Sequence, residues 1–363
     1  MLSLLLPCLL SLGGGDAEPV PTDWRELDAA LARLGDAPDG PFSLGALVRT
    51  FFTKSASEAS DGSADVSGVV FEDVDLHATV RLESVDLRVS ADFDRADSGA
   101  GNARLEDAYA RWRYGSELAL KVGQFKPRVV RSGSLPDSEL LFRDRTFVGA
   151  AFDGWDTGVE LSGHYDQFDW WLALADGLDG DQSRHFWSGR SEWALYDEAF
   201  EDLEGARGSP NHLRVLFGAT IFSDDAQASS KGGGYGADLA LTFGPYAFHT
   251  EWMRLGDEFA RTIDVFNGYT LDIGDGQPFS ATWSRTFGGE AEGAVRFERA
   301  DDADNTSSWG VAGSYFPGGG PVRLVADAAR VEGDTRDFTM FSIGIQLGSS
   351  GLSRPFLDAR GTH

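Results

Sequence analysis

The chain has 363 residues, with 31 Lys and Arg against 58 Asp and Glu, for a formal charge of −27. A 42% apolar fraction excludes a disordered acidic tail, and the acid excess argues against nucleic acid, whose partners carry basic faces. One Cys excludes a disulfide scaffold or a cysteine-rich zinc site, while 45 Gly, 25 Phe, 10 Trp and 8 Tyr favour an all-β chain over a helical enzyme.

Met1–Leu12 is an apolar run followed by three glycines. It is shorter than the roughly 20 apolar residues of a spanning helix. It fits a secretory signal over residues 1–17, with Gly15-Asp16-Ala17 supplying small residues before a cleavage point after Ala17. Residues 18–41 then read as a periplasmic N-terminal segment. Within it Trp24, Leu27, Leu31 and Leu34 recur at helical spacing, from a Thr22 cap to a Gly35 stop, so 22–35 is expected as a short amphipathic helix. No other stretch approaches 18 consecutive apolar residues, which excludes a helical membrane protein but leaves a β-barrel open.

From residue 42 to 348 the pattern has period two. In 85–93, Val85, Leu87, Val89, Ala91 and Phe93 share one face, and Asp86, Arg88, Ser90 and Asp92 the other. The same alternation runs through 213–221, 235–243, 279–287 and 338–347. Such segments are strands with one apolar and one polar face. Small polar and charged residues recur opposite the apolar row, and aromatics (Phe42, Phe51, Trp112, Trp155, Trp170, Tyr246, Trp252, Trp309 and Tyr315) sit near strand ends, as an interfacial girdle needs. The fold class expected is therefore all-β, a transmembrane antiparallel β-barrel of about 16 strands. The spans are 42–54, 68–81, 83–95, 104–113, 117–125, 156–165, 167–176, 212–223, 233–244, 246–257, 260–273, 278–287, 290–300, 307–316, 320–332 and 337–348, with a tail over 349–363.

Long and short connections alternate along this count. With both termini periplasmic, 55–67, 96–103, 127–155 and 177–211 are external, and Leu82, Tyr114–Ser116, Asp166, Glu258–Phe259 and Pro317–Gly319 internal. Two connections break the rhythm: an internal turn of nine residues, 224–232, and a tight external turn at Pro245.

The third external connection, 127–155, and the lysine before it form the most basic stretch of the chain: Lys126, Arg128, Arg131, Arg143 and Arg145. It also carries Leu135, Leu140, Leu141, Phe142, Phe147, Val148 and Phe152, which a solvated loop does not need but a loop folded into the barrel does. Ser138–Phe142 has the composition of a helical turn. Two readings stand. The cations line a constriction that holds or steers anions, or they pin a structural loop to lumen acids through Arg–carboxylate pairs. Inward candidates on the strands are Asp73, Asp75, Asp86, Asp92, Asp156, Glu160, Asp238, Glu251, Asp264, Asp272, Glu298 and Asp327, against Arg49, Arg88, Lys121, Arg214, Arg296 and Arg323.

Residues 105–163 resemble the phosphate-selective porin O and P family. The resemblance rests on Asp107-Ala108-Tyr109, on Val122-Gly123-Gln124-Phe125-Lys126, on Leu141, Phe142, Asp144 and Arg145, and on Asp156, Gly158, Val159, Leu161, Ser162 and Gly163. The stretches 303–316 and 321–334 resemble the family's late strands. The resemblance implies a sixteen-stranded outer-membrane porin, a homotrimer, passing small anions along a path of basic residues. The lumen face read from this sequence is acidic and does not by itself imply phosphate.

The rivals belong to other classes. One is a secreted soluble β-sandwich that binds polysaccharide through exposed Trp and Tyr. The other is a barrel hydrolase using His249 and Glu251, which share one strand face, although no nucleophile motif accompanies them. The acidic run Asp301, Asp302 and Asp304 reads as a solvated loop tip. No cofactor, no metal and no catalytic residue is expected.

Overall fold

The computed structural model describes residues 42–57, 66–93, 103–177, 185–195, 204–227, 230–256, 259–266, 269–317, 322–335 and 337–348. The expected signal (1–17), the helix at 22–35 and the tail (349–363) lie outside the described residues. Eighteen strands follow in chain order: β1 (Phe42–Ser57), β2 (Val66–Arg81), β3 (Val85–Asp92), β4 (Arg104–Tyr114), β5 (Leu118–Phe125), β6 (Asp156–Tyr165), β7 (Phe168–Ala175), β8 (Phe186–Leu195), β9 (Arg214–Gln227), β10 (Ser230–Phe243), β11 (Tyr246–Leu255), β12 (Ala260–Phe266), β13 (Tyr269–Gly274), β14 (Phe279–Phe287), β15 (Ala291–Arg299), β16 (Ser307–Tyr315), β17 (Val322–Glu332) and β18 (Asp337–Gly348). Sixteen of them close into one antiparallel barrel, in which β18 pairs back onto β1 with Val48 opposite Leu347 and Ser55 opposite Met340. Closure leaves no strand edge unpaired.

The wall is inside out by the standard of a soluble protein. On β8, Ser188, Arg190 and Glu192 are buried, while Trp187, Trp193 and Leu195 are exposed. On β7, Leu172 and Leu174 are more than half exposed. An apolar side chain of this size left in water forgoes about 1.5–3 kcal/mol, so a continuous ring of them calls for an apolar surrounding. This geometry overturns the β-sandwich, whose apolar rows would meet each other in a dry interior.

Aromatics cluster toward both rims. At the short-turn end Phe168 and Trp193 meet at a tilt with centroids 4.9 Å apart, and Tyr246 lies 6.2 Å from Trp283. At the opposite end Phe297 and Trp309 are 4.5 Å apart, and Tyr235 and Trp252 5.8 Å. Phe51, expected at a rim, is instead buried, facing inward beneath the Arg49 and Arg143 guanidiniums.

Two strand assignments differ from the sequence expectation, and they offset each other in the count. The connection expected over 177–211 contains β8, hydrogen-bonded along its length to β7 and β9. The strand expected over 260–273 is not in the wall. It is the separate hairpin β12–β13, inserted between β11 and β14. Adding β8 swaps the ends of every connection up to β11. The turn between β9 and β10 thereby lies at the long-connection end, and the Gly244–Pro245 turn at the short end. Both breaks in rhythm are accounted for by one missed strand. Asp264 and Asp272 accordingly leave the lumen set: they lie on the exposed face of the hairpin. Its other face, Ile263, Val265, Leu271 and Ile273, packs with Phe152, Phe222, Met253, Leu255, Phe338 and Met340 in one apolar core across the mouth.

Candidate functional site

The chain leaves the wall at Pro127, which lacks the N–H that would extend β5. Just before it, Gly123 sits at φ 130°, and a Cβ there would come within 2.2 Å of the Ala108 carbonyl oxygen, so the hairpin preceding the loop requires glycine. The loop then folds into the barrel through α1 (Arg131–Ser134), a 3-10 turn at Asp137–Glu139 and α2 (Phe147–Ala151), the last capped by the Thr146 hydroxyl accepting from Gly149 N. Of the expected helical turn at Ser138–Phe142, only the first residues adopt that form. Its apolar residues are buried: Val129, Val130, Phe147, Val148, Ala151 and Phe152 join the mouth core, and Leu141 and Phe142 pack on Ala294 of β15.

A buried loop must satisfy its own backbone, and the wall and the segments packed inside it supply the partners. Four loop N–H groups donate to carboxylates: Ser132 to Glu251 (2.6 Å), Leu141 to Glu204 (2.6 Å), Arg143 to Asp327 (3.0 Å) and Phe147 to Glu298 (2.7 Å). Loop carbonyls accept from cations: Arg143 O from Arg49 (2.6 Å), Asp144 O from Arg296 (2.9 Å), Val129 O from Arg190 (3.2 Å) and Ser138 O from Arg323 (3.3 Å). Arg261 of the hairpin donates to Ala151 O at 2.7 Å. These bonds tie the loop to β1, β8, β11, β15 and β17.

A second segment enters from the opposite end. The β8–β9 connection places Glu204 beside the loop, where it also accepts from Arg296 at 2.6 Å, and Ala206 N donates to Glu292 on β15 at 2.6 Å. Sequence reasoning missed this infold, because without β8 the segment had no reason to lie inside. Arg190 was missed for the same reason. It donates to Asp238 at 2.7 Å and to Glu192 at 2.9 Å.

The five loop cations are all engaged. Lys126 pairs with Asp153, and Arg128 with Glu192 at 3.5 Å. Arg131 donates to His249 Nδ1 at 3.4 Å, Arg143 pairs with Glu72 at 2.6 Å, and Arg145 bridges Asp137 (2.7 Å) and Asp153 (2.8 Å). Burial raises the Asp144 carboxyl above its usual range against the pull of Arg143. Burial acts in the same direction on Asp153, but Arg145 and Lys126 together hold it below that range. Glu72 reaches Arg143 through a β-bulge opposite Arg49 and Thr50, which adds a residue to β2. The pair suggested for hydrolysis is occupied otherwise, His249 by Arg131 and Glu251 by Ser132.

The wall cations point inward. Arg49 pairs with Asp73 (2.7 Å), Arg88 with Asp107 (2.7 Å) and Lys121 with Glu160 (2.6 Å). Arg214 and Arg296 are buried. Arg323 is also buried, and its hydrogen bonds go to the Ser314 hydroxyl and Ser138 O rather than to a carboxylate. The β3–β6 side carries pairs between neighbouring strands, including Arg111 with Asp86 at 2.5 Å.

Among solved structures, the barrel is similar to an anion-selective porin from Comamonas acidovorans, with a TM-score of 0.60 at 11% identity over 85% of this chain and 99% of that one. It is also similar to substituted forms of the Rhodopseudomonas blastica porin, with TM-scores of 0.53 and 0.55 at 12% and 13% identity and the same coverage. At these identities the likeness establishes the fold. No family model and no curated protein matches the sequence.

Proposed function

We propose that the chain is an outer-membrane diffusion channel for small solutes, narrowed by the infolded 127–155 loop. The observation that carries this reading is the inverted wall: an apolar, aromatic-rimmed exterior around a closed interior of charged residues. Such a barrel meets lipid outside and polar groups inside. The loop's ties fall on β1, β2, β8, β11, β15, β17 and β18, which leaves the β3–β6 wall, with pairs such as Arg88–Asp107 and Lys121–Glu160, as the side for the passage. Width and field along that strip govern permeation; no tight binding is required. The loop cations act chiefly as anchors, since each is held by protein partners. Planar-bilayer recordings test the proposal. Discrete conductance steps from the purified, heat-modifiable chain support it, and a silent, correctly folded barrel refutes it.

A preference for small anions is the finer reading. It is favoured by the likeness to an anion-selective porin and by Arg323, whose hydrogen bonds go to a hydroxyl and a backbone carbonyl rather than to a carboxylate. Arg323→Gln then lowers the anion-to-cation permeability ratio, read from the reversal potential in a KCl gradient. A phosphate preference and a homotrimer rest on the motif resemblance. Competition of phosphate with chloride current tests the first, and cross-linking in the membrane the second.

A further inference from the structure

Three lumen carboxylates take no part in holding the loop. Asp75 on β2, Asp92 on β3 and Glu106 on β4 are buried, each with an oxygen within 4.8 Å of the others. Asp75 and Asp92 are directly opposed cross-strand partners, a position in which like charges repel. Glu106 joins them because a bulge between Val89 and Ala91 sets two β4 residues against one of β3 and turns both Glu106 and Asp107 inward. Arg104 approaches from an exposed position, no nearer than 4.0 Å to Asp92 and 3.8 Å to Glu106. Asp73 and the loop's Asp137 add to the same negative field.

A second observation is independent of the clustering. Asp75 is only 7% exposed, and its Oδ1 is shut off from solvent with no hydrogen-bond partner among the described residues. A buried carboxylate oxygen without a donor is costly. The groups facing it from β3 and β4 are themselves carboxylates, Asp92 and Glu106. A cation seated among the three carboxylates would give Asp75 Oδ1 the partner it lacks.

We propose that Asp75, Asp92 and Glu106 bind a divalent cation, with Ca²⁺ the best fit. An all-oxygen donor set selects hard cations. Two oxygens on opposite sides of Ca²⁺, each at about 2.4 Å, stand about 4.8 Å apart. The three oxygens lie within that span of one another, and the flexible Ca²⁺ shell accepts such a set where Mg²⁺ demands a near-ideal octahedron at about 2.1 Å. Lumen water completes the coordination. The bound ion would fasten β2, β3 and β4 together beside the passage and remove two units of negative charge from its lining. Binding does not depend on the channel reading, so the two can fail separately.

The test is calorimetric titration of the full chain, folded in detergent and stripped with chelator, using CaCl₂ alone as the probe. Asp75→Asn and Glu106→Gln are run in parallel, each shown to be folded by its shift in gel mobility on boiling. The wild type is expected to take up one variant-sensitive Ca²⁺ per chain with a Kd on the order of 10⁻⁴–10⁻³ M, and either substitution to weaken it by about tenfold or more. A thermal measurement gives the opposite sign. In chelator Asp75→Asn melts at or above the wild type, because the cross-strand repulsion is gone; in Ca²⁺ the wild type rises and the variant does not. No Ca²⁺ uptake by the wild type, or equal uptake by all three chains, overturns the proposal.

Discussion

Arg145 is the staple of the infolded loop, and removing it separates the loop's stability from the barrel's. Its guanidinium donates to Ser132 O (2.9 Å), Leu135 O (2.7 Å) and Asp137 (2.7 Å) and pairs with Asp153 (2.8 Å), with 4% of the side chain exposed. It therefore joins α1, the 3-10 turn and the returning arm of the loop. Arg145→Met keeps much of the volume and removes all four contacts. Deleting one partner of a buried pair costs about 3–5 kcal/mol. Asp137 and Asp153 are each about a quarter exposed and Asp153 keeps Lys126, so the lower figure applies. About 3 kcal/mol is roughly a hundredfold shift between docked and undocked loop. The sixteen wall strands do not use Arg145, so the boiling shift in gel mobility stays normal. Single-channel recordings are expected to show larger, noisier currents, and limited proteolysis to cut within 127–155. A contrasting substitution is Arg330→Ala, whose pair with Glu332 is about half exposed on both sides and worth at most about 1 kcal/mol. A quiet Arg145→Met channel with wild-type conductance and an uncut loop would show that the loop is held by its apolar face alone.

Other consequences are open to measurement. Leu172→Arg puts a charge in the middle of an outward face and should cost about 2–4 kcal/mol in reversible denaturant unfolding from vesicles; a negligible effect would mean that β7 does not face lipid. Ile263→Asp places a carboxylate in the mouth core and should unseat the β12–β13 hairpin, seen as cleavage within 259–274 while the barrel stays protected. Asp153, held below its ordinary range, contributes to loop docking throughout the neutral region; that contribution is lost only as pH falls through the depressed value. Protease resistance of the loop should therefore persist at pH 4 and fall below it, and Asp153→Asn should remove that acid step.

Period-two alternation made the barrel legible because each side chain has only two directions in which to point. The same rule explains both strand errors. On β8 the outward positions include Gly189 and Ser191, so the apolar row is interrupted and the charged inward row, Arg190 and Glu192, dominates the impression of a loop. The β12–β13 hairpin alternates as well as any wall strand, but alternation cannot say whether its apolar face meets lipid or a barrel mouth. A signal was present: Asn267-Gly268 divides the segment, and that dipeptide favours a tight hairpin turn over a continuous strand. The alternating lengths of the connections carried the other clue, since the missed β8 exchanges the two ends of every connection until the extra strand counted at 260–273 restores them.

The site was legible as a set of residues but not as a wiring pattern. Sequence places basic residues in the loop and acids on the wall, and from that opposition alone a cation-lined constriction and a pinned loop look the same. What distinguishes them is the loop's backbone, which no side-chain pattern reveals. A chain of about 30 residues brought in from water must find partners for its N–H and C=O groups, and side-chain ion pairs do nothing for these. The barrel answers with carboxylates aimed at loop amides and guanidiniums aimed at loop carbonyls. Glu251, Glu204, Asp327 and Glu298 serve the first kind, and Arg49, Arg190, Arg296 and Arg323 the second. An acidic lumen is then no contradiction of a basic loop. Much of its charge is consumed in holding that loop.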